Sequence, residues 1–268
     1  MAISKKAKEQ IYKLIDIMVS LYISRASKNS IKNSGNPFVM ALLEDFEPLL
    51  HRIHGLKTSL GSEMEKIAEI IAIDAWGVDN VERKVKRTFD LPLNVFRAID
   101  EIINDLSNAR RHSNYSEEIK KVLETCKNPS KEMEKITYEF DLQLFDVKES
   151  HLFFLEMKGP DPNTTEVPGA KRRLLSELAW GYFNKEFKLV DALIAIYYNS
   201  QHPKPYKNPK VLGYFDPNGG MFVHDNFWNF IGKDKNTFTD LIKIFEKYGK
   251  ENKERIWNEF SKLIKVKK

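Results

Sequence analysis

Glu156-Met157-Lys158 closes an apolar run, Leu152 to Met157 (LFFLEM). If that run is a strand, residues two apart share a face, so Glu156 and Lys158 point the same way at the end of a buried segment. Charges in such a place need a reason, because an unpaired buried charge is costly. Asp141 stands on the preceding segment, and the spacing D-x14-E-x-K is one that a tight hairpin brings together. Asp141 and Glu156 would offer hard carboxylate oxygens to Mg²⁺, with the Met157 carbonyl as a further ligand. A cation between two carboxylates relieves their repulsion, lowers the pKa of bound water and stabilises charge developing on a phosphate. Lys158 would orient or help deprotonate the attacking water, or neutralise charge in the transition state. The chemistry is metal-assisted phosphodiester hydrolysis. E-x-K taken alone also arises as a solvated ion pair in a Lys/Glu-rich chain. The hairpin, the placed aspartate and the apolar run before Glu156 set this instance apart. Asp146 competes with Asp141 and is nearer to Glu156 in sequence, but strand alternation puts it beside the turn, so Asp141 is preferred.

The elements that must hold these residues are legible from periodicity. Tyr138 to Phe145 alternates, with Tyr138, Phe140, Leu142 and Leu144 on one face and Glu139, Asp141 and Gln143 on the other. With the polar turn Asp146 to Ser150 and the run Leu152 to Met157 it predicts an antiparallel hairpin. A breaker-rich loop follows, Lys158 to Pro168, then a helix from Ala170 to Phe183. Val190 to Tyr198 (VDALIAIYY) predicts a central strand buried on both faces. Gly213 to Phe222 predicts a turn with short strands, and Thr237 to Lys265 a helix. Upstream, the spacing predicts helices over Lys5 to Ser24, Phe38 to Leu50, Leu93 to Leu106 and Ser116 to Cys126, with a Ser/Asn/Gly-rich loop from Lys28 to Pro37. A further helix opens at Gly61, with Ser62 as N-cap and Glu65 as its capping-box partner. The order hairpin, helix, strand makes an α/β core, a mixed sheet of four or five strands flanked by helices, with a large helical N-terminal portion. The chain 1–268 reads as a single structural unit: a mainly helical portion 1–130, a core 133–200, and a C-terminal turn, strand and helical portion 201–268.

Lys171, Arg172 and Arg173 fall in the first turn of the helix after the loop. Cations there oppose the helix dipole, and a DNA phosphate would explain them, although a solvated basic turn is always common. Asn163, Thr164 and Thr165 could donate to phosphates or bases, and turn formation explains them equally well. His224 reads as structural or DNA-contacting, His112 as part of a basic helix end, and Phe222, Phe227, Trp228 and Phe230 as core.

Length and composition bound the rest. At 268 residues, 42% hydrophobic and 30% charged, the chain is globular in type, and disorder, collagen and disulfide scaffolds are excluded. One cysteine, Cys126, excludes an intramolecular disulfide and a multi-cysteine zinc site. No stretch reaches the roughly 20 apolar residues needed to span a bilayer. The start, Met1 to Gln10, is polar and lysine-rich, so a cytoplasmic protein is expected. The net charge of +5, from 43 basic and 38 acidic residues, leans mildly towards an anionic partner.

Asp141 with Glu156-x-Lys158 on a hairpin, followed by a helix and an apolar strand, resembles the PD-(D/E)xK nuclease core. The string LEMKGPDPNTTEVPGAKRRLL, Leu155 to Leu175, resembles the TdeIII-type group of type II restriction endonucleases. Ala195 to Asn199 with Pro203 and Pro205 is similar to the third core strand and its exit loop in such enzymes, and His224 to Gly232 to a segment near their C-terminus. The proline that often precedes the motif aspartate is replaced by Phe140. The resemblance implies a Mg²⁺-dependent, site-specific endonuclease on double-stranded DNA that leaves 5′-phosphates. It further implies a short GC-rich interrupted palindrome, GGNCC in the best-known members, a homodimer, and a cognate DNA methyltransferase as genetic partner. Gly61-Ser62-Glu63-Met64-Glu65 matches a G-x-x-x-E setting of the superfamily, which makes Glu65 a helper metal ligand. A repair or junction-resolving nuclease of the same core, or a catalytically dead DNA-binding relative, are the alternative readings.

Overall fold

In a computed structural model of the chain, residues 2–28, 47–184 and 187–264 are described. One mixed sheet is formed by β1 (Val81–Pro92), β2 (Met133–Asp146), β3 (His151–Lys158), β4 (Leu189–Ile196) and β5 (Met221–Val223), in that spatial order. The first three strands are antiparallel neighbours, and β3, β4 and β5 run parallel. A parallel neighbour needs a crossover, and α5 (Glu166–Phe183) supplies the one between β3 and β4.

Successive residues of β3 and β4 face opposite layers. Leu155, Met157, Leu193 and Ala195 pack against α1 (Lys5–Lys28), α2 (Glu47–Trp76), α7 (Asp225–Ile231) and α8 (Thr237–Glu251). Leu152, Phe154, Ala192, Ile194 and Ile196 pack against α5 on the other side. Beyond the β1 end of that side, α3 (Leu93–Ser107) and α4 (Tyr115–Cys126) close a third cluster around Phe89, Leu91 and Ile136. Both faces are therefore covered, which is why LFFLEM and VDALIAI read as unbroken apolar runs. Each large side chain buried this way contributes about 1.5–3 kcal/mol relative to exposure. The remaining elements are α6 (Pro209–Leu212) and α9 (Lys253–Ile264). Among the described residues no helix is long and apolar enough to cross a membrane.

Several expectations are corrected. β1 is a strand inside the portion expected to be helical, and its alternation Val81, Arg83, Val85, Arg87, Phe89, Leu91 gives no clean apolar signal because two of the six positions are arginine. No helix opens at Gly61. Helix α2 already runs from Glu47, and Ser62 Oγ donates to the Ser59 carbonyl at 2.9 Å instead of capping, so the capping box does not exist. Helix α5 starts at Glu166, with Pro168 tolerated in its first turn, so the three basic residues lie in its second turn. The C-terminal helix is broken at Asn252 into α8 and α9. The expected loop to Pro37 and the helix from Phe38 lie outside the described residues, apart from Glu47 onward, which belongs to α2.

The alternation in β2 is real, but it does not stay on one face. Leu142 and Leu144 pack on the α2 side, whereas Phe140 packs on the α5 side. Strand β1 switches in parallel, with Val81 on the α2 side and Phe89 on the α3 side. The crossing point is the Lys84–Asp141 position. Register runs from Val81↔Leu144 to Arg83↔Leu142 and resumes at Val85↔Phe140.

Candidate active site

The β2–β3 ladder ends at Leu142↔Leu155, while β3 stays paired with β4 as far as Lys158↔Ile196. Glu156, Met157 and Lys158 therefore run on beside a gap where β2 has turned away. The Met157 N–H donates into that gap, to Asp141 Oδ2 at 2.7 Å. Lys158 Nζ lies 2.8 Å from Glu156 Oε1 and 3.8 Å from Asp141 Oδ2. Arg173 reaches down from α5 and pairs with the same Glu156 oxygen. Asp141, Glu156 and Lys158, chosen by spacing, are thus in contact. Asp146 is not with them: it accepts from the Lys148 N–H at 3.0 Å in the turn and lies 3.7 Å from Lys233.

Burial, then the Glu156 charge, then that of Glu65, push the Asp141 carboxyl up to about 7, against the pull of Lys158 and the Met157 N–H. For Lys158, burial works to lower the ammonium, but Glu156 and Asp141 outweigh it and hold it above its ordinary value. This is a crowded carboxylate pair kept together by cations. The Glu156 side chain is almost fully buried, and its Oε2 has no hydrogen-bond partner.

Glu65 comes to the same place from α2. Its carboxylate lies 3.7 Å from Lys84 Nζ and 4.0 Å from Arg83 Nη1, and its Oε2 is buried without a hydrogen bond. The Tyr197 ring, just past β4, was not foreseen. Its hydroxyl lies 3.5 Å from where a Cβ on Gly61 would be and 3.4 Å from one on Gly159, so these two glycines make room for it. Burial, helped by the Tyr198 and Glu65 charges, raises its pKa. No local pattern marks Tyr197, because its partners lie on two other elements.

Among the described residues, no three acidic, histidine or cysteine side chains converge closely enough to chelate an ion by themselves. Mg²⁺ does not require that, since it keeps several waters and takes one or two carboxylates together with substrate phosphate. Hard oxygens of Asp141 and Glu156, an unpartnered buried carboxylate oxygen and the adjacent Met157 backbone fit such an ion.

The basic triplet is divided among three acidic partners. Consecutive helix residues point about 100° apart, so three in a row cannot form one patch. Lys171 is buried on Glu118 and lies against the Phe215 ring, with Nζ 5.0 Å from its centroid, so it is closed to DNA. Arg172 pairs with Asp100 at 2.7 Å, and Arg173 with Glu156. Asn163 and Thr164 are exposed on the loop between β3 and α5, Asn163 donating to Glu166 Oε1 at 2.8 Å. The root of that loop is fixed, because the Pro160 carbonyl accepts from Tyr206 Oη at 2.8 Å and Asn208 Nδ2 at 2.9 Å. His224 Nδ1 accepts from the Asn199 N–H at 3.1 Å, a structural contact. His112 is exposed. Phe227 and Trp228 are core, with Phe222 and Phe230 packed beside them.

The sequence model of the HinfI type II restriction endonucleases matches residues 3–249. A curated relative, the type II restriction enzyme MjaII of Methanocaldococcus jannaschii, is 26% identical over 93% of this chain and 72% of its own length. The α/β architecture, a five-stranded mixed sheet with helices on both faces and a large helical N-terminal region, is the restriction-endonuclease-like core. With acidic residues and a lysine gathered where its central strands part, the chain belongs to the HinfI family of type II restriction endonucleases.

Proposed function

We propose that this protein is a Mg²⁺-dependent nuclease that cuts double-stranded DNA at a short GC-rich interrupted palindrome and leaves 5′-phosphates. Its TdeIII-type resemblance makes GGNCC the first site to try. The observation that carries the reading is the gap beyond Leu142↔Leu155, where Asp141, Glu156 and Lys158 meet and one Glu156 oxygen is left without a partner. Asp141, Glu156 and the Met157 carbonyl would hold the ion, with Glu65 as helper ligand. Bound there, Mg²⁺ supplies Lewis acidity towards the phosphate and a more acidic water. Lys158, charged and beside both carboxylates, orients the attacking water and screens the charge that grows on the phosphate. Arg173 fixes the Glu156 carboxylate from the α5 side and is one guanidinium away from a phosphate docked at the gap. Asn163 and Thr164, at the exposed end of an anchored loop, are placed to donate to DNA.

A palindrome is read most simply by a two-fold dimer with one site per strand, so a homodimer is expected. The portions 1–130, 133–200 and 201–268 act as one unit, since α2 brings Glu65 to the gap between strands. A cognate methyltransferase would protect the host DNA in the cytoplasm. The test is digestion of unmethylated phage DNA with and without Mg²⁺, beside Asp141→Ala and Lys158→Ala. Discrete Mg²⁺-dependent bands, lost in both variants, are expected, and their ends give the site. Cleavage that survives both substitutions would place the active site elsewhere. A wild type that binds but never cuts would make this a DNA-binding relative.

A further inference from the structure

We propose that Lys84 is a further residue of this site, and that its ammonium, held beside Glu65 in the free protein, binds a DNA phosphate next to the scissile one. The proposal rests on the nuclease reading. Lys84 lies in the middle of β1 with φ 55, the left-handed region that glycine enters freely and lysine does not. It stands opposite Asp141, and these two form the pair missing from an otherwise continuous β1–β2 register. At that pair β2 passes its apolar residues from one face of the sheet to the other, and β1 does the same between Val81 and Phe89. The turn in the ribbon leaves the Asp141 carboxylate on the Met157 N–H and not in a flat strand. The backbone at Lys84 therefore helps set the gap in which the carboxylates meet.

Glycine would hold this conformation with less strain, so a lysine here points to a use for its side chain. Folding makes little use of it. The ammonium is 3.7 Å from Glu65 Oε2, beyond a normal hydrogen bond, and the side chain is 53% exposed. Neighbouring cations are committed elsewhere: Lys158 and Arg173 to Glu156, and Arg83 to Glu69 at 2.7 Å. Lys84 is half in solvent at the rim of the gap, on a flexible stem that carries a compact point charge. A phosphate is the anion that this site would meet.

The experiment uses full-length wild type, Lys84→Ala, Lys84→Gly and Lys84→Arg. Binding to a fluorescein-labelled duplex spanning the cleavage site is measured in EDTA, where nothing is cut, across a series of NaCl concentrations. Lys84→Ala and Lys84→Gly should bind about tenfold more weakly or worse. Their slope of log affinity against log salt should be lower by roughly two, one for each protomer of the dimer, with Lys84→Arg close to wild type on both counts. Thermal melting reads the backbone separately: Lys84→Gly should melt above Lys84→Ala by about 2 °C or more, because glycine alone is at ease there. Wild-type affinity and slope in both uncharged variants would overturn the phosphate contact. A Lys84→Gly protein melting below Lys84→Ala would remove the strained backbone. A wild type that neither binds nor cuts the duplex takes away the nuclease reading and this proposal with it, whereas normal cutting by wild type and both uncharged variants refutes this proposal alone.

Discussion

Replacing Lys171 with methionine separates a buried structural lysine from a DNA-binding one. The side chain is 2% exposed and its partner Glu118 is fully buried. Methionine keeps the stem and removes the charge, leaving Glu118 without its nearest cation. Stranding one member of a buried pair costs about 3–5 kcal/mol. Here some compensation remains. Arg111 Nη2 lies 3.2 Å from Glu118 Oε1, and Ser113 Oγ at 3.2 Å and the Asn114 N–H at 3.3 Å donate to the same oxygen. The low end, about 3 kcal/mol, is therefore expected. In a chain of this size that is a fall of roughly 6–12 °C in Tm. Burial already lowers the Lys171 pKa against the pull of Glu118, so the ammonium is held there chiefly by its partner. Adding Glu118→Gln, which can still accept from Ser113 and Asn114, should recover a good part of the loss. The assay is thermal melting of the single and double variants, with the salt dependence of DNA binding measured on the same proteins well below the melting range. A destabilised variant with an unchanged salt slope is the expected result. An unchanged Tm together with a slope reduced by about two, one per protomer, would refute the reasoning and return Lys171 to the DNA surface.

Glu177 carries a pH dependence of its own. Burial lifts it to about 8 despite Arg87, which is bonded to it at 3.0 Å. Between its ordinary 4.5 and about 8 the folded chain keeps a proton that the unfolded chain has released, so stability falls as pH rises through that window, with a ceiling of roughly 5 kcal/mol. Glu177→Gln should therefore raise Tm at pH 8.5 and leave it nearly unchanged at pH 4.5; equal shifts at both would contradict the assignment. Gly181 on α5 faces β4 so closely that an added Cβ would lie 2.4 Å from Val190 Cγ2. Gly181→Ala should cost about 1–3 kcal/mol in chemical denaturation, and Val190→Ala in the same chain should relieve part of it. No relief from the second change would mean that helix and strand had moved apart instead.

The placement of the candidate residues was readable because it is local. The hairpin follows from a period of two, the buried strands from unbroken apolar runs, and the candidate Asp141, Glu156 and Lys158 from residue type and spacing on those elements. The same periodicity preferred Asp141 over Asp146, and the structure puts Asp141 beside Glu156 while Asp146 stays in the turn. What failed was what local pattern does not carry. Gly61 looked like a helix start, yet α2 runs through it, since packing against the sheet outweighs the roughly 1 kcal/mol that a helical glycine costs. β1 escaped notice because its inward positions alternate hydrophobic residues with arginines, whose partners Glu69 and Glu177 lie on different helices. KRR looked like one basic patch, and three separate acidic residues divide it.

Sequence alone marked Asp141, Glu156 and Lys158 as candidates for metal-assisted hydrolysis and the strands that carry them, because side-chain chemistry and backbone period are properties of a few neighbouring residues. Tertiary structure decided where β2 leaves β3, which way Asp141 turns, that Glu65 and Lys84 come beside it, and that Arg173 reaches Glu156. Those outcomes depend on the packing of segments remote in sequence, and no local pattern encodes it.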